Sequence, residues 1–475
     1  MMRELSKLEL ARLYRKVKPE LCNYDPDLYR FDIIDFESKI KDRLEKIEKG
    51  IEKYGLKYFL RQFKNLEPGK KFVYYPHSFK PSDKIESLNF FSNKKELQFK
   101  KLNDGTLKVR KIFYAPIEIH ILTAYWIENI GDIIDRNFPE EVYGGRIKRD
   151  LALNTCNEPN KLGKLNIAFP GIFIPYYYKY SEWRENSLNA IISFNKEYNI
   201  LVLTLDIVNF YPSINLNRCK KLVEKKLEEN FCKNTKLKEL NDTLFALIKH
   251  WNKACNSKGL PVGLLASPIL ANLYMEEFDK FIKKEFRPLF YGRYIDDIIL
   301  VLNADAYDIQ ELINIKDILN RPSQLKLNEN GNYIFNFKKA TGRNKVYLEI
   351  SQEKQKNFFL SKDASPSLIK AIQREINEIS SLRKFLPDFL DTNSKLMEKV
   401  FQIYAEGDFG DNLRKIEQVR VRKLGMSVLL SKLREQARYL PPEEWKDERY
   451  KVYEDIQSLI FDPVNFLKIQ RIFYS

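Results

Sequence analysis

The chain has 475 residues, of which 44% are hydrophobic and 13% aromatic; this excludes wholesale disorder and is enough for roughly two to four structural units. Its 81 Lys and Arg against 65 Asp and Glu leave a net charge of +16, which favours a polyanionic partner, nucleic acid before a membrane surface. No stretch approaches about 18 uninterrupted apolar residues, so no membrane span is expected, and the charged start MMRELSKLELARLYRKVKPE has no signal-peptide core.

The five cysteines, Cys22, Cys156, Cys219, Cys232 and Cys255, are scattered and form no Cys-x-x-Cys pair. With only His77, His120 and His250 beside them, a zinc site is not expected. The pattern reads as reduced thiols in a cytoplasmic protein, each a small buried apolar residue.

Taken in chain order, residues 36–63 read as one amphipathic helix, with Ile40, Leu44, Ile47, Ile51 and Tyr54 at helical spacing between Glu and Lys. Residues 1–69 therefore form a helical N-terminal extension. From 70 to 361 short β-type runs alternate with helices, an α+β texture. Within it, LVLTLDIVNFYPSI (201–214) opens as a buried β-branched strand that ends on Asp206. Next, GLPVGLLASPILANLYMEEFDKF (259–281) combines a tight Gly259/Pro261/Gly263 loop with a helix. That helix is expected to be capped by Ser267, with Pro268 in its first position and Leu270, Leu273, Phe278 and Phe281 as its buried stripe. LFYGRYIDDIILVL (289–302) reads as a hairpin with Asp296-Asp297 at the turn. Residues 362–475 read as nearly all helix, starting from Ser365-Pro366 and broken at Pro387 and Pro441-Pro442.

An Asp-rich β-turn is ordinary structure on its own. Two adjacent carboxylates beside Asp206, however, repel one another unless cations neutralise them, and hard oxygen ligands suit Mg²⁺. Two such ions can activate a 3′-hydroxyl and stabilise a leaving pyrophosphate.

In this order the three segments resemble the palm of reverse transcriptases: Asp206 in the first catalytic motif, SPILANLY in the Ser-Pro-x-Leu-Ala-Asn motif, and Tyr294-Ile295-Asp296-Asp297 in the Tyr-x-Asp-Asp box. The resemblance spans about residues 100–360 and implies a right-hand-like fingers–palm core followed by a helical, thumb-like region. It implies an RNA-directed DNA polymerase in which Asp206 and Asp296 bridge two Mg²⁺ ions (Mn²⁺ as substitute), supported by Asp297 and the Ile207 backbone. Tyr211 matches the aromatic gate that excludes a ribose 2′-hydroxyl; the alternative is a core aromatic under the following helix. In KVRKIFYAP, Arg110 and Lys111 both qualify as the cation that grips the incoming dNTP triphosphate. VYGGRIKRD nominates Arg146, GLPVG places Val262 against the nucleotide, and NFKKAT makes Lys339 a general-acid candidate. Tyr294, Arg420, Arg422 and Lys423 are the nucleic-acid-binding candidates.

Val262 stands where most members carry Gln. No zinc-binding or nuclease signature follows, which departs from intron-mobility enzymes, and the retron motifs are missing. The LPVGLLASPILANLYM run with a helical C-terminal region looks most like abortive-infection and other defence-associated bacterial reverse transcriptases. That resemblance implies anti-phage defence with a non-coding RNA partner and a DNA product, homo-oligomer formation, templated or template-independent synthesis, and priming by the protein itself. Tyr474 is the first priming candidate, its alternative role being to dock a last helix. Two further readings are a mobility or repair reverse transcriptase without a nuclease and a non-catalytic RNA-binding module of polymerase shape. Retention of three mutually repelling carboxylates argues against the last.

Overall fold

The computed structural model of the chain describes residues 3–24, 28–67, 71–80, 106–150, 163–167, 170–308, 315–320, 322–337, 346–352 and 354–362. Two compact units divide the chain: Met1–Val73 with Ile112–Glu375, and Tyr74–Lys111 with Ile376–Ser475. The C-terminal region read as helical, with its basic residues and Tyr474, lies outside the described residues.

The first unit opens with α1 (Lys7–Tyr24), α2 (Arg30–Ser38), α3 (Ile40–Tyr54) and α4 (Lys57–Lys64). The single helix expected over 36–63 is thus broken twice. Lys39 leaves helical geometry between α2 and α3, and Gly55, at φ 59°, ends α3. Gly55 combines that φ with ψ −156°, a conformation open essentially to glycine because it has no Cβ. Of the expected apolar face, Leu44 and Ile47 are buried, Ile40 and Ile51 are half-buried and Tyr54 is exposed. β1 (Phe72–Lys80) and β2 (Thr106–Phe113) pair as a two-stranded ribbon. α5 (Ile117–Trp126) is buried on every side, runs through a π-helical turn at Ile127–Gly131 and continues as α6 (Asp132–Asp135). α1 packs on α5, so the N-terminal helices belong to the same compact body as the sheet that follows.

That sheet begins after α7 (Tyr176–Asn195) with β3 (Ile200–Asp206). Four helices follow β3: α8 (Phe210–Ser213), α9 (Leu216–Lys226), α10 (Glu228–Lys233) and α11 (Thr235–Ala254). The long α12 (Ser267–Phe286) then leads into the hairpin β4 (Phe290–Tyr294) and β5 (Asp297–Asn303). After α13 (Ile315–Asn320) come β6 (Leu325–Leu327), β7 (Tyr333–Asn336), β8 (Tyr347–Ile350) and β9 (Lys356–Leu360). β4-β5-β3-β9 form one antiparallel sheet and β6-β7-β8 a second.

Ile200 to Leu205 are all buried, Thr204 included, as a nearly all-apolar strand should be when both of its faces are covered. α7 covers β4, β3 and β5. Its Trp183 approaches β4 so closely that a Cβ on Gly292 would lie 3.1 Å from the indole. α12 turns Phe278 and Phe281 toward Phe335 of β7, with ring centroids at 5.1 and 4.9 Å. The expected stripe of Leu270, Leu273, Phe278 and Phe281 is buried. Ser267 differs from expectation. It is the first helical residue rather than the cap, and its buried hydroxyl donates to the Pro261 carbonyl at 2.7 Å, tying α12 to the glycine loop before it.

Candidate active site

Antiparallel register sets the first two carboxylates. β3 pairs with β5 from Ile200↔Asn303 to Asp206↔Asp297, so the strand that ends on Asp206 meets the strand that begins on Asp297. Directly opposed residues project to the same face of a sheet with Cβ atoms about 4.5–5.5 Å apart. Asp206 and Asp297 therefore share one edge and one face. Tyr294 pairs with Asp297 across the β4–β5 hairpin, which leaves Ile295 and Asp296 as a two-residue turn. The turn lies one residue earlier than the Asp-Asp spacing suggests: Asp297 is a strand residue and Asp296 alone sits at the tip. Ile295 carries φ 58°, a region disfavoured for a β-branched side chain. Such strain persists only where the surroundings over-determine it.

Those surroundings are a buried polar brace. Arg293, wholly inaccessible near the end of β4, makes a bidentate ion pair with Asp279 of α12, from Nε to Oδ1 at 3.0 Å and from Nη2 to Oδ2 at 2.8 Å. Its Nη1 donates to the Ile295 carbonyl and to Asn272 Oδ1, both at 2.8 Å. Asn272 in turn donates from Nδ2 to the Gly144 carbonyl at 2.7 Å. The Tyr291 hydroxyl closes the network on Asp279 Oδ1 at 2.5 Å. Burial, reinforced by the Asp279 charge, raises the Tyr291 pKa well above its ordinary value and keeps the phenol protonated. For Arg293, burial opposes the charged form, but Asp279 outweighs it and the pKa is raised. The backbone adds two more ties: Arg293 N donates to Glu141 O at 2.8 Å and Tyr143 N to Arg293 O at 2.9 Å. Gly144 fits because a Cβ there would lie 2.8 Å from Ile295 Cγ1.

Asp206 is held from a different direction. Its carbonyl accepts from Ser351 N at 2.9 Å, and Val208 N donates to Glu349 O at 2.8 Å. These two bonds flank the Ile207–Ile350 bridge, so the Ile207 carbonyl is not spent on β8. The Asp206 carboxylate accepts from Lys354 Nζ at 2.8 Å. Lys354 is 65% exposed in its side chain and Asp206 21%, so the pair contributes little to stability. Among the described residues, no three His, Cys, Asp or Glu side chains are drawn together as a ready cation cage.

The segment after Asp206 divides its two aromatics. Phe210 is buried, while Tyr211 is only half-buried in the single turn of α8. The glycine loop presses on this turn: Leu260 N donates to Tyr211 O at 2.9 Å, and a Cβ on Gly259, at φ 71°, would lie 2.2 Å from the same carbonyl oxygen. At the other end of the loop, Phe113 N donates to Val262 O at 2.7 Å, and Gly263 takes φ 95° against Ile112 and Phe113. Val262 is thus fixed by its backbone between the end of β2 and the Tyr211 turn.

Other sequence candidates lie elsewhere. Arg146 is turned inward: Nε donates to buried Asp135 at 2.9 Å, and Nη1 and Nη2 donate to the carbonyls of Val142, Pro139 and Asp135. All three guanidinium nitrogens have protein acceptors. Tyr294 is buried beneath α7, its ring 5.0 Å from that of Tyr180. Lys111 places Nζ 6.0 Å from the centre of the Tyr74 ring. Arg110 belongs to β2 by its backbone. Its side chain, together with Lys339, Arg420, Arg422, Lys423 and Tyr474, lies outside the described residues. Sequence reasoning passed over Arg293, Asp279 and Lys354, and gave Asn272 no role. One signal was present: Asn272 and Asp279 are seven residues apart, so these two polar groups fall on the otherwise apolar, buried face of the helix. Lys354 has no such signal, since it reaches Asp206 across 148 residues of chain.

No curated protein matches the chain. Residues 176–339, about a third of its length, match the family model described as reverse transcriptase (RNA-dependent DNA polymerase). The matched span runs from the start of α7 through the paired Asp206 and Asp297 and the Asp296 turn, and no described helix is long and apolar enough to cross a membrane. The chain carries a reverse transcriptase domain and is an RNA-directed DNA polymerase, a nucleotidyltransferase.

Proposed function

We propose that Asp206, Asp296 and Asp297 form the centre at which this polymerase joins a dNTP to a 3′-hydroxyl. The pairing of Asp206 with Asp297 at one sheet edge, with Asp296 on the adjoining turn, is the observation that carries the reading. Reverse transcriptase domains generally use divalent metal ions such as Mg²⁺. The donors here fit one: they are hard oxygens, and Asp206 already attracts a cation, the Lys354 ammonium. Asp206, Asp296, Asp297 and the Ile207 carbonyl would hold two Mg²⁺ ions, which supply activation of the attacking hydroxyl and charge stabilisation at the pyrophosphate. The chain's own contribution is to hold like charges side by side on rigid strands. Tyr211 stands just past Asp206 and shapes the sugar site, with Val262 on the loop behind it. Arg110 and Lys111 at the end of β2 supply cations for the triphosphate, with Lys339 as proton donor to the departing pyrophosphate. Arg146 supports this surface through Asp135 rather than by direct nucleotide contact.

The test is incorporation of labelled dNTPs by the purified chain with Mg²⁺ on RNA and DNA primer–templates and without template. Metal-dependent, chain-lengthened product supports the reading, and its absence under all conditions refutes it. Tyr211→Ala is expected to raise the ratio of rATP to dATP incorporation by about tenfold or more, the range a steric pocket commands. An unchanged ratio in an active variant removes Tyr211 as the gate.

The finer reading places the enzyme in anti-phage defence as a homo-oligomer with a non-coding RNA, priming synthesis from Tyr474. Its support is the sequence resemblance and the +16 charge. Arg420, Arg422 and Lys423, with the neighbouring cations, would bind RNA phosphates. A complex with roughly five neutralised phosphates loses about 10²-fold in affinity between about 50 and 200 mM salt. A flat salt titration contradicts that role. For priming, mass spectrometry of protein incubated with dNTPs should show a nucleotide-linked C-terminal peptide that is lost in Tyr474→Phe.

A further inference from the structure

We infer that Arg293 is a positioning residue for the metal-binding carboxylates, acting through the Ile295 peptide. This rests on the reading that Asp296 helps to hold the metal ions. A two-residue hairpin joining β4 and β5 needs positive φ at its first position, where glycine is the usual solution. This chain has Ile295 there instead, at φ 58°. Nothing intrinsic to isoleucine holds that conformation, so the neighbours must. Arg293 Nη1 donates to the Ile295 carbonyl, the carbonyl of the peptide bond leading into Asp296. The guanidinium cannot follow the turn if it moves, because Asp279 grips its other two nitrogens and Asn272 shares Nη1. Asp279 and Asn272 both stand on α12, and Asn272 also holds the Gly144 carbonyl beneath the turn. The direction in which Asp296 leaves the turn is thus referred to a rigid, buried helix rather than to the hairpin alone. Lysine cannot replace this fork, since a point charge lacks the planar set of donors needed for four acceptor atoms at once.

Outer-shell partners that orient a metal ligand typically change metal affinity by about ten- to a hundredfold when lost. The experiment is Mn²⁺ titration of the full chain by electron paramagnetic resonance, without nucleotide, alongside thermal unfolding. Arg293→Lys keeps the charge beside Asp279 but lacks the fork. Because this buried change can unfold the domain, a second variant, Tyr291→Phe/Asp279→Leu/Arg293→Met, removes the whole ionic cluster and leaves an apolar core in its place. The expected result is a folded protein in at least one of the two, with Mn²⁺ affinity lowered about tenfold or more. A folded variant with wild-type Mn²⁺ affinity overturns the inference by making the brace purely structural. Loss of fold in both overturns it too, since positioning would then be inseparable from folding. Asp296→Asn in the same titration separates the two layers: wild-type affinity there defeats the metal-site reading itself. Loss in Asp296→Asn with wild-type affinity in a folded Arg293 variant defeats only the role of Arg293.

Discussion

Asp296→Asn is expected to lower nucleotide incorporation by about 10³-fold or more while leaving the protein folded. The substitution keeps the volume of the side chain and one oxygen donor, and removes only the negative charge. Asp296 is half-buried at the tip of the turn and the backbone bonds that define the hairpin do not involve its side chain, so stability should change by no more than about 0.5 kcal/mol. Catalysis has more to lose. Lewis-acid stabilisation of a transferring phosphoryl group is worth several kcal/mol, and each 1.36 kcal/mol is about a tenfold change in rate. The check is steady-state dNTP incorporation with circular dichroism on the same samples. A rate within about tenfold of wild type in a folded variant would remove Asp296 from the centre.

Gly259→Ala is expected to cost about 2–5 kcal/mol of stability and to disturb sugar discrimination. The backbone at Gly259 has φ 71°, where an L-residue with a Cβ is disfavoured by about 1–2 kcal/mol. The added atom would lie 2.2 Å from Tyr211 O and 2.6 Å from Pro212 O. Both are backbone atoms and cannot rotate aside, so overpacking adds about 1–3 kcal/mol. The chain must either displace the loop or push the Tyr211 turn, and Leu260 N ties the two together. Thermal unfolding should show a midpoint lowered by about 5 °C or more. A folded fraction should show an altered ratio of rNTP to dNTP incorporation. A wild-type midpoint with a wild-type ratio would mean that the loop does not brace the Tyr211 turn.

The elements that carry the site were legible because burial writes itself into local pattern. β3 announced itself as an apolar β-branched run, and α12 as a Pro-started helix with a stripe at helical spacing. What misled was local chemistry overridden by distant partners. Asp-Asp looks like a turn, yet the turn is Ile295-Asp296, because Arg293 and α12 hold isoleucine where propensity would not put it. Ser267 looks like a cap, yet its hydroxyl serves the Pro261 carbonyl. The amphipathic pattern of 36–63 runs through Lys39 and Gly55 without a break in phase, whereas the backbone breaks at both. Local rules fail at sites held in strain by their surroundings, and the hairpin of Asp296 is such a place. Arg293 stood in plain view as a charge inside a buried strand. Its partner Asp279 is fourteen residues upstream on another element, and only the packing of α12 brings them together.

The most direct test of the proposed centre is anomalous diffraction from crystals of the full chain soaked in Mn²⁺. The expected map has a peak within about 2.5 Å of a carboxylate oxygen of Asp206 and of one from Asp296 or Asp297, with the Lys354 ammonium moved off Asp206. Peaks that avoid this sheet edge, with Lys354 still bound to Asp206 at a Mn²⁺ concentration that supports incorporation, would contradict the assignment of these three aspartates as the metal site.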